Sequence, residues 1–539
     1  MRKTAFIILL ALAAVSVQAQ TIYDALLFSE RNYEGTARSV AMGNAFTALG
    51  GDLGSIGLNP AGSAVAKYSQ FTITPGLTVS SSTTKGESPY SDGYLPYFEK
   101  QFKNTAPHFA IPNLGLTFNW ETGRSSGLKN VTVGFVMNRV NDWNEDVYAA
   151  GRNATTSFMG AMAYDATMDG MLGSNLNMSN AYNYDPWKYI VGYQSGMIST
   201  FGGYDNQFAG ASEVLYDNMG QTEISLGGPL DQSYGRSVRG AKNDYLINLG
   251  FNISDFLYLG ANIGITSMNY SYDEYFKEVA VDPYDFEIEY DNEQKAYFKS
   301  MKYKYSYSTN NSGVYGKIGA ILTPGFGLRI GAAIQTPTAT TVNEYWHYGG
   351  ETTYTDSNYN ANAESPDGED SYRFSEPWRA NFGIAYTLDK IAIFSVDYEL
   401  CDYGSMKFKR EGFDDGREYF IGLNEDIKNT FGTSHMLRAG VEVKPIDMLA
   451  VRAGYNLTTS PETLIKVPAV HNISFGLGFI SKKSFFADVA CRYAFATDEY
   501  IMPYNDYIFD EDYNILDFAP EIRNTKNNWK VLLTLGWRF

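Results

Sequence analysis

The final segment of the chain alternates between apolar and polar residues, which restricts how it can fold. In NNWKVLLTLGWRF, one face of an extended strand carries Trp529, Val531, Leu533, Leu535, Trp537 and Phe539. The other face carries Asn528, Lys530, Leu532, Thr534, Gly536 and Arg538. Period two with one apolar face is typical of a β-strand. Because tryptophan stands near both ends of the apolar face, where a bilayer has its interfaces, the segment predicts a membrane-crossing strand.

The same alternation recurs along the chain, with aliphatic rows opposite arginine or glycine. Four such rows run over residues 328–334, 382–386, 449–455 and 473–479. A soluble β-sandwich also alternates, but it rarely repeats arginine and glycine opposite an aliphatic row over most of so long a chain. A closed barrel pairs every backbone group inside a bilayer, which an open sheet cannot do. The pattern therefore favours a membrane β-barrel.

The connections between these segments alternate in length. Short turns are predicted at 252–256, 323–327, 388–391, 445–448 and 481–484, with long excursions at 271–311, 347–371, 410–432, 458–468 and 500–525. Short turns on one side and long loops on the other are the arrangement of outer-membrane barrels. Counting back from Phe539 gives fourteen strands. The predicted fold class is all-β, a 14-stranded antiparallel transmembrane barrel of the outer membrane.

Residues 1–19 have the form of a secretory signal peptide. Arg2 and Lys3 precede an apolar run from Ala5 to Val15, and Val17-Gln18-Ala19 matches a small-x-small cleavage site. The run is shorter than the ~20 residues that a spanning helix needs. We expect three parts: the signal peptide (1–19), a compact N-terminal segment (20–67), and the barrel (68–539).

Charge, cysteine and histidine content limit the ligands and cofactors that the chain is expected to bind. The chain carries 42 Lys and Arg against 60 Asp and Glu, a net charge of −18, whereas nucleic-acid binding needs a basic face. Cys401 and Cys491 lie in separate predicted strands, so we expect two free thiols rather than a disulfide. The four histidines show neither metal-ligand spacing nor an axial pair for haem. No cofactor is predicted.

The segment GGDLGSIGLNPAG, Gly50–Gly62, is too rich in glycine for a regular helix or a central strand. A short helix with a small-residue face is predicted before it, over Thr36–Leu49, and Gly50-Gly51 would end that helix. A segment of this size cannot bury a core of its own. The lumen of a 14-stranded barrel is wider than its own side chains can fill. We therefore predict that residues 20–67 form a hatch, a plug on the periplasmic side of the lumen.

The stretch ARSVAMGNAFTALGGDLGSIGLNPAG resembles the start of the outer-membrane long-chain fatty acid transporters, the FadL/TodX family. Asn59-Pro60-Ala61 matches the Asn-Pro-Ala motif that members carry in their N-terminal hatch, and the family barrel has fourteen strands. PWRANFGIAYTL (377–388), SVDYEL (395–400), and HMLRAGVEVKP with LAVRAGYN (435–456) also resemble the family. The likeness is thin across 82–312.

The resemblance implies passive uptake of long-chain fatty acids or similar hydrophobic small molecules. A ligand caught at the outer loops would reach the upper lumen, the hatch would shift at Asn59, Pro60 and Ala61, and the ligand would leave sideways through a kink in the third strand. That strand is predicted to include Val131–Asn138, with Gly134 as the candidate kink. The alternative is that Gly134 is one of many lumen-facing glycines.

The implied partners follow from the same resemblance and from the C-terminal strand. They are the hydrophobic ligand, outer-membrane lipid, and the barrel-assembly machinery, which we expect to recognise Trp537 and Phe539. We expect a monomer and no nucleic-acid partner.

The excursion over 143–240 is the longest and is predicted to be partly helical. Phe158 and Met162 stand at near-helical spacing in its first part, and Trp187, Ile190 and Met197 follow Pro186 in its second. A methionine-rich apolar surface suits adaptable capture of hydrophobic molecules. The same residues also suit helices that pack on each other over the barrel mouth, and the two interpretations are compatible.

The alternatives to uptake are a porin, a surface binding protein or receptor, and a hydrolase. A polar-solute porin fits poorly with a plug and apolar loops. A surface binding or adhesion protein, or a receptor for haem or another hydrophobe, would use the barrel as an anchor. No Gly-x-Ser-x-Gly motif or evident Ser/His/Asp set supports a hydrolase, so no enzyme is predicted. The acidic run Asp510–Asp512 could hold a cation, although such runs are more often simply solvated.

Overall fold

The computed structural model describes residues 20–87, 98–218, 221–289, 294–389, 391–410, 415–481, 484–509 and 513–539. The predicted signal peptide and Asp510–Asp512 lie outside these residues. Fourteen antiparallel strands form one closed barrel. It closes because β1 (Gln70–Glu87) pairs with β14 (Glu521–Arg538) along its length, from Gln70↔Arg538 to Glu87↔Glu521. The predicted fold class, with the plug inside the lumen, is confirmed.

The other barrel strands follow in chain order, each paired with its neighbours. They are β2 (Phe102–Glu121), β3 (Leu128–Asn153), β4 (Leu230–Ile253), β5 (Leu257–Ala280), β6 (Lys295–Gly325), β7 (Leu328–Gln335 and Ala339–Tyr354), β8 (Gly368–Ser375 and Arg379–Leu388), β9 (Ala392–Asp402 and Lys407–Lys409), β10 (Thr433–Ile446), β11 (Leu449–Thr458), β12 (Val470–Ile480) and β13 (Phe485–Ile501). β7 and β8 are interrupted around Pro337 and Pro377, because proline has no N–H to donate to a ladder.

The two faces of the barrel wall differ as the sequence predicts. In β14, Val531 and Leu533 point outward and are 47% and 39% exposed, whereas Lys530 and Leu532 point inward and are 2% and 1% exposed. No helix among the described residues is long and apolar enough to cross a bilayer. The closed wall with an apolar outer face is the architecture of a multi-pass outer-membrane protein, and the predicted location is thereby confirmed.

The hatch, residues 20–67, lies inside the lumen. It contains α1 (Ile22–Ser29), α2 (Ala37–Ala41) and two 3₁₀ helices, Gly54–Gly57 and Pro60–Val65. The helix predicted over Thr36–Leu49 is therefore wrong beyond Ala41. Gly43 and Asn44 adopt φ angles of 63° and 59°, which a right-handed helix does not contain. Leu532, an apolar residue on the inner face of β14, packs against α2.

The excursion between β3 and β4 is shorter than the predicted range of 143–240, because both strands continue into that range: β3 ends at Asn153 and β4 begins at Leu230. The outer cap, residues 154–229, contains α3 (Phe158–Met168), α4 (Gly173–Leu176), α5 (Trp187–Gln194) and short hairpins. Pro186 occupies the N-cap of α5 without a side-chain hydrogen bond. Much of the predicted 271–311 loop is strand instead, since β5 and β6 continue to Ala280 and from Lys295. A further helix, α6 (Asp415–Thr430), lies between β9 and β10.

Candidate functional site

Lumen-facing glycines of the barrel wall leave room for the hatch backbone. A Cβ atom added at Gly319 in β6 would lie 2.1 Å from Oδ1 of Asn59, and one at Gly260 in β5 would lie 2.3 Å from the carbonyl carbon of Pro60. A Cβ atom at Gly331 in β7 would lie 2.2 Å from a backbone oxygen of the hatch. Contacts this short do not occur, so the hatch fits against these strands because glycine has no side chain. This accounts for the glycines on the inner face of the alternating rows.

Asn59 is fully buried and joins the hatch to the wall. Its Nδ2 donates to the carbonyl oxygen of Thr47 within the hatch, at 2.7 Å, and to that of Ala320 in β6, at 3.1 Å. Its Oδ1 accepts from the Ala61 amide at 3.1 Å, which makes Asn59 the N-cap of a 3₁₀ helix that Pro60 begins. The three motif residues thus form one turn. That this turn gates transport stays a prediction.

Buried ion pairs also hold the hatch in place. The Arg31 guanidinium lies 2.5 Å from a carboxylate oxygen of Asp244 in β4, and Glu34 pairs with Lys530 in β14. All four side chains are at most 3% exposed. Separating such a pair leaves buried charge without a partner. Movement of the hatch therefore needs new interactions for these groups.

The neighbouring strands β2 and β3 separate part of the way along the wall. β2 and β3 pair only in their periplasmic halves, from Glu121↔Asn130 to Asn113↔Asn138. Above Asn138, β3 has a bulge between Arg139 and Asn141 and pairs only with β4. The outer half of β2 pairs only with β1. We call this separation, between residues 102–112 and 139–153, the wall gap.

β3 leans into the lumen above the bulge. The Thr78 hydroxyl, on the inner face of β1, donates to Asp142 Oδ2 at 3.3 Å. The Thr84 hydroxyl, higher on the same face, donates to the Tyr148 carbonyl oxygen at 2.5 Å. The outer half of β3 therefore lies behind β1, which leaves one edge of outer β2 without a paired strand in the described part of the chain.

The hatch covers the point where the two strands part. The Asn32 amide donates to the carbonyl oxygen of Val140 at 2.6 Å, and the Glu34 amide donates to that of Arg139 at 3.0 Å. Residues 31–35, which we call the strap, thus take the place of β2 on the free edge of β3. Arg31 and Glu34 of the strap also form the buried ion pairs with Asp244 and Lys530. The strap therefore cannot leave the wall gap without disturbing these pairs.

Gly134 lies in the paired part of β3, opposite Thr117 in β2 and Asn248 in β4. A Cβ atom there would approach the Thr117 methyl group at 3.0 Å. The observed separation begins four residues later, at Asn138. Gly134 as the marker of the opening stays a prediction, and the bulge beside Val140 is the irregularity that the structure contains.

An outer pocket of about 170 Å³ lies between α3, the extended strands β5–β7 and the last loop. Its walls are mainly aromatic, with Phe158, Tyr303, Tyr305, Tyr348 and Tyr504 among them. The Phe158 ring lies 5.0 Å from that of Tyr303, and the Tyr305 and Tyr348 rings lie 4.7 Å apart, measured between centroids. Such a cavity suits an apolar ligand, with phenol groups available for a polar end.

The five predicted capture residues divide into two groups. Phe158 and Met162 line the outer pocket, and Trp187 lies beside it, with its ring centroid 6.5 Å from that of Tyr348. Ile190 and Met197 are fully buried in the core of the cap. Both interpretations of this region therefore have a structural counterpart, since some residues pack the cap and others face a cavity. A role in capture stays a prediction for all five.

An aromatic row connects the outer pocket to the wall gap. The ring centroids of Tyr305 and Tyr272 lie 6.3 Å apart. Tyr272 and Tyr270 are two residues apart in β5, so both side chains lie on the same face of that strand. The Tyr270 ring lies 5.7 Å from that of Trp143, which is three residues above the bulge in β3. These side chains belong to the inner face of the upper wall. They place a series of aromatic side chains between the outer pocket and the point where β2 and β3 separate.

Three charged groups border the outer pocket: Asp165, Lys188 and Glu274. Lys188 Nζ lies 3.7 Å from Asp165 Oδ2 and 4.4 Å from the centre of the Tyr189 ring. Glu274 accepts hydrogen bonds from the hydroxyls of Tyr234 and Tyr272, at 3.1 Å and 2.5 Å. A second cavity, of about 540 Å³, lies on the other side of α3, against the short hairpins. Among the described residues, no group of three or more His, Cys, Asp or Glu is placed to hold a metal.

The C-terminal residues stand at the periplasmic rim. The Trp537 ring is 40% exposed on the outer face, between Phe71 and Phe485, at centroid distances of 6.1 Å and 5.3 Å. Phe539 is 65% exposed, and its backbone exchanges two hydrogen bonds with Ser69. Recognition of these residues by assembly machinery stays a prediction. Cys401 and Cys491 are free thiols, as expected.

Sequence reasoning missed the parts of the site that arise from strand separation. Trp143 and the tyrosines of β6 fall within the predicted excursions 143–240 and 271–311, Tyr270 ends a predicted strand, and the sequence gives none of them a role in ligand contact. The alternating KYKYSYS of β6 was a usable signal, because every second residue is tyrosine and one face of that strand points inward. The strap gave no signal, because its partners are backbone carbonyls.

No family model matches the chain, and no curated protein matches it. Solved structures do. A FadL homologue of Pseudomonas aeruginosa aligns over 94% of this chain and 99% of its own, at 12% identity and a TM-score of 0.51. The toluene transporter TodX of P. putida aligns over the same shares, at 11% identity and a TM-score of 0.51. At this identity the likeness establishes the fold: the chain has the barrel-and-hatch fold of FadL and TodX, as the sequence resemblance implies.

Proposed function

We propose that this FadL-like barrel takes up hydrophobic small molecules across the outer membrane without an energy source. The ligand is caught in the outer pocket, follows the aromatic row to the wall gap, and leaves sideways into the membrane when the strap moves. The observation that carries the proposal is the coincidence of two features. The wall opens between β2 and β3, and the hatch covers that opening with its own backbone.

The size of the outer pocket bears on what can be caught first. Its 170 Å³ is close to the ~150 Å³ of an engineered apolar cavity that holds benzene. One aromatic ring or one end of an acyl chain fits, and the rest of a long chain must extend toward the lumen or the second cavity. Both long-chain fatty acids and single-ring hydrocarbons are therefore reasonable ligands. Lys188 already pairs with Asp165, and Glu274 belongs to the same lining, so the charge of the pocket does not select a carboxylate over a neutral ring.

The aromatic row favours lateral release over an aqueous pore. Each buried CH₂ group gains ~0.8 kcal/mol relative to water, so an acyl chain is held wherever apolar surface is continuous. Tyr305, Tyr272, Tyr270 and Trp143 supply that surface down to the bulge in β3. The lumen below them is filled by the hatch and its buried ion pairs, which an apolar chain would not cross.

The function of FadL and TodX supports transport over the alternatives in this chain. TodX is a toluene transporter, and its fold aligns with 94% of this chain. Uptake of toluene or of a fatty acid is an expectation for this chain, not a property carried over. A surface binding protein would have no use for an aromatic row that leads to a covered wall gap.

Uptake by reconstituted vesicles tests the proposal. Labelled oleate and labelled toluene would be presented to vesicles that carry the parent protein or a variant with Asn59, Pro60 and Ala61 replaced by glycine. We expect uptake of at least one ligand by the parent and a clear change in the variant, because the turn that ties the hatch to β6 is lost. Heat-modifiable migration on gels shows whether the barrel remains folded.

The outcomes separate the functions. No uptake of either ligand by a folded parent would overturn the transport proposal and favour a surface binding role. Equal uptake by parent and variant would reject the Asn-Pro-Ala turn as part of the gate. A ratio of oleate to toluene uptake identifies the preferred ligand class.

A further inference from the structure

A basin of about 450 Å³ opens at the periplasmic mouth of the barrel, beneath the hatch. The underside of the hatch forms its roof, through residues 49–53 and 65–68. The periplasmic ends of β1 and β7–β14 form its sides. It lies outside the proposed route from the outer pocket to the wall gap, so uptake through that gap does not explain its chemistry.

Cationic side chains outnumber carboxylates in this basin, although the whole chain is strongly acidic. Six line it: Arg38, Lys67, Arg329, Lys444, Arg452 and Arg538. Three carboxylates face them: Asp52, Glu442 and Asp488. The basin therefore has a surplus of three positive charges in a chain whose net charge is −18.

The carboxylates are already engaged. Glu442 is shared by Arg38, Arg452 and Lys444, at 2.8 Å, 2.6 Å and 3.7 Å. Asp488 also pairs with Arg452, at 2.5 Å. They have no capacity left for the two remaining arginines.

Arg329 and Arg538 have no carboxylate partner within the described part of the chain. Arg329 Nη1 donates to the carbonyl oxygen of Leu49 in the hatch, at 2.5 Å. The Arg538 guanidinium stands over the rings of Tyr68 and Phe486, at 4.6 Å and 5.0 Å from their centres. Its Nε is buried and has no hydrogen-bond partner. An unpaired, partly buried guanidinium is a ready donor for an oxyanion.

We infer that the basin binds an anionic amphiphile, with an oxyanion head group at Arg329 and Arg538. The tail would contact the apolar part of the same lining, which includes Leu49, Leu53, Val65 and Phe486. The chemistry fits a fatty carboxylate on the periplasmic side and equally a lipid phosphate from the inner leaflet. The inference rests on the proposed uptake for the presence of such amphiphiles, but the charge asymmetry stands without it.

The site has a consequence for ligand choice. Arg38 belongs to the hatch and Arg329 donates to the hatch carbonyl of Leu49, so an oxyanion bound in the basin interacts with the hatch directly. A neutral hydrocarbon gains nothing from the cationic lining. The basin therefore discriminates by charge, at a step separate from the size selection of the outer pocket.

Photo-crosslinking of the full-length protein in lipid nanodiscs tests the inference. The probes are a fatty acid with a diazirine beside its carboxylate, the methyl ester of that acid, and a lysophosphatidic acid with the diazirine near its phosphate. Labelled peptides are located by mass spectrometry. The variants are Arg329→Gln/Arg538→Gln, the charge-preserving Arg329→Lys/Arg538→Lys, and, as a matched control, Arg523→Gln, a partly exposed arginine of β14 that pairs with Glu87 outside the basin.

We expect the acid to label residues 49–53 and 65–68 in the parent and the control. Labelling should fall at least fivefold in the Gln double variant and recover in the Lys double variant, which shows that charge and not folding is responsible. The lysophosphatidic acid result identifies the source: labelling by both probes means any oxyanion amphiphile, and labelling by one restricts the head group. Equal labelling by the ester, or no loss in a folded Gln variant, would overturn the inference.

The same experiment keeps the two proposals apart. Labelling of residues 158–165 reports occupancy of the outer pocket, independently of the basin. If the basin is labelled and residues 158–165 are not, the result contradicts the proposed route and leaves the anion site intact. The reverse pattern contradicts only the anion site.

Discussion

At the scale of single residues, two kinds of residue on the inner face of the wall hold the hatch. Glycines allow its backbone to approach closely, and buried charged side chains form ion pairs with it. The alternation of arginine or glycine with aliphatic residues was readable from the sequence, because period two assigns each residue to one face. The partners were not readable. Asp244 and Lys530 meet Arg31 and Glu34 across more than two hundred residues of chain, and only the closed barrel brings them together.

Replacing Gly319 by alanine should loosen the hatch without opening the barrel. The new Cβ would stand 2.1 Å from Oδ1 of Asn59, so the turn at Asn59 must move. We expect a loss of about 1–3 kcal/mol in hatch stability, as for other overpacked sites. Hydrogen exchange at residues 59–65 measures it. Gly316→Ala is the control, because a Cβ there meets only the Thr336 methyl group, at 3.8 Å, and a similar loss in the control would contradict the explanation.

The outer cap should respond to pH through Glu213. Burial raises the pKa of Glu213 to about 7, and the nearby Glu278 adds to the rise, while donation from the Gly210 amide opposes it. A carboxyl group whose pKa is higher in the folded state contributes stability below its ordinary pKa of 4.5 and loses it as pH rises toward 7.

Hydrogen exchange of residues 157–160 and 208–210 measures this dependence. Protection should fall by up to about tenfold per pH unit between pH 5 and 7, the slope of one proton. In Glu213→Gln the slope should become shallower without disappearing, because burial also raises the pKa of Glu278 to about 7 and this carboxyl group, which accepts from the Phe158 amide, still titrates. An unchanged slope in that variant would assign the dependence to another group.

At the scale of elements, β3 is the strand that departs from a regular barrel. Its lower half pairs with β2, and its upper half leans into the lumen behind β1 and takes the strap as a substitute partner. The strands and short turns could be predicted, because each depends on local periodicity and turn residues. The separation of β2 from β3 could not be predicted, because a bulge leaves the alternation almost intact. The residues on both sides of Val140 still have the pattern of one strand. The extra length of β5 could not be predicted for a related reason, since polar strand extensions above a membrane resemble loops.

Removing one strap hydrogen bond should make the wall gap leak. Asn32→Pro deletes the amide that donates to Val140, and Asn32→Ala keeps it, so the pair isolates the backbone bond. We expect a severalfold rise in permeation of a small hydrophobic dye through vesicles with the proline variant and parent-like permeation with the alanine variant. If both behave alike, the strap does not seal the gap.

At the scale of the whole molecule, the barrel, the hatch and the cap form three layers along one path. The cap holds an aromatic pocket, the upper wall carries the aromatic row, and the hatch fills what remains of the lumen and covers the gap. The acidic outer loops and the cationic basin place opposite charge at the two ends. The general architecture followed from alternation, strand count and the Asn-Pro-Ala resemblance. The ligand route could not be predicted from the sequence, because its side chains come from six separate segments: α3, β3, β5, β6, β7 and the last loop.

The central claim, that the hatch must move for a ligand to pass, can be tested with a reversible tether. Leu53 lies in the hatch, and its Cβ is 3.2 Å from the position of a Cβ added at Gly115 in β2, slightly below the separation that disulfides adopt. A Leu53→Cys/Gly115→Cys variant would therefore link hatch and wall when oxidised, with each single cysteine variant as a control. Uptake of labelled oleate and toluene would be measured before and after reduction. The account predicts uptake that is lost in the oxidised double variant and restored by the reductant, with no redox effect in the single variants. Full uptake through the oxidised, tethered protein would contradict it.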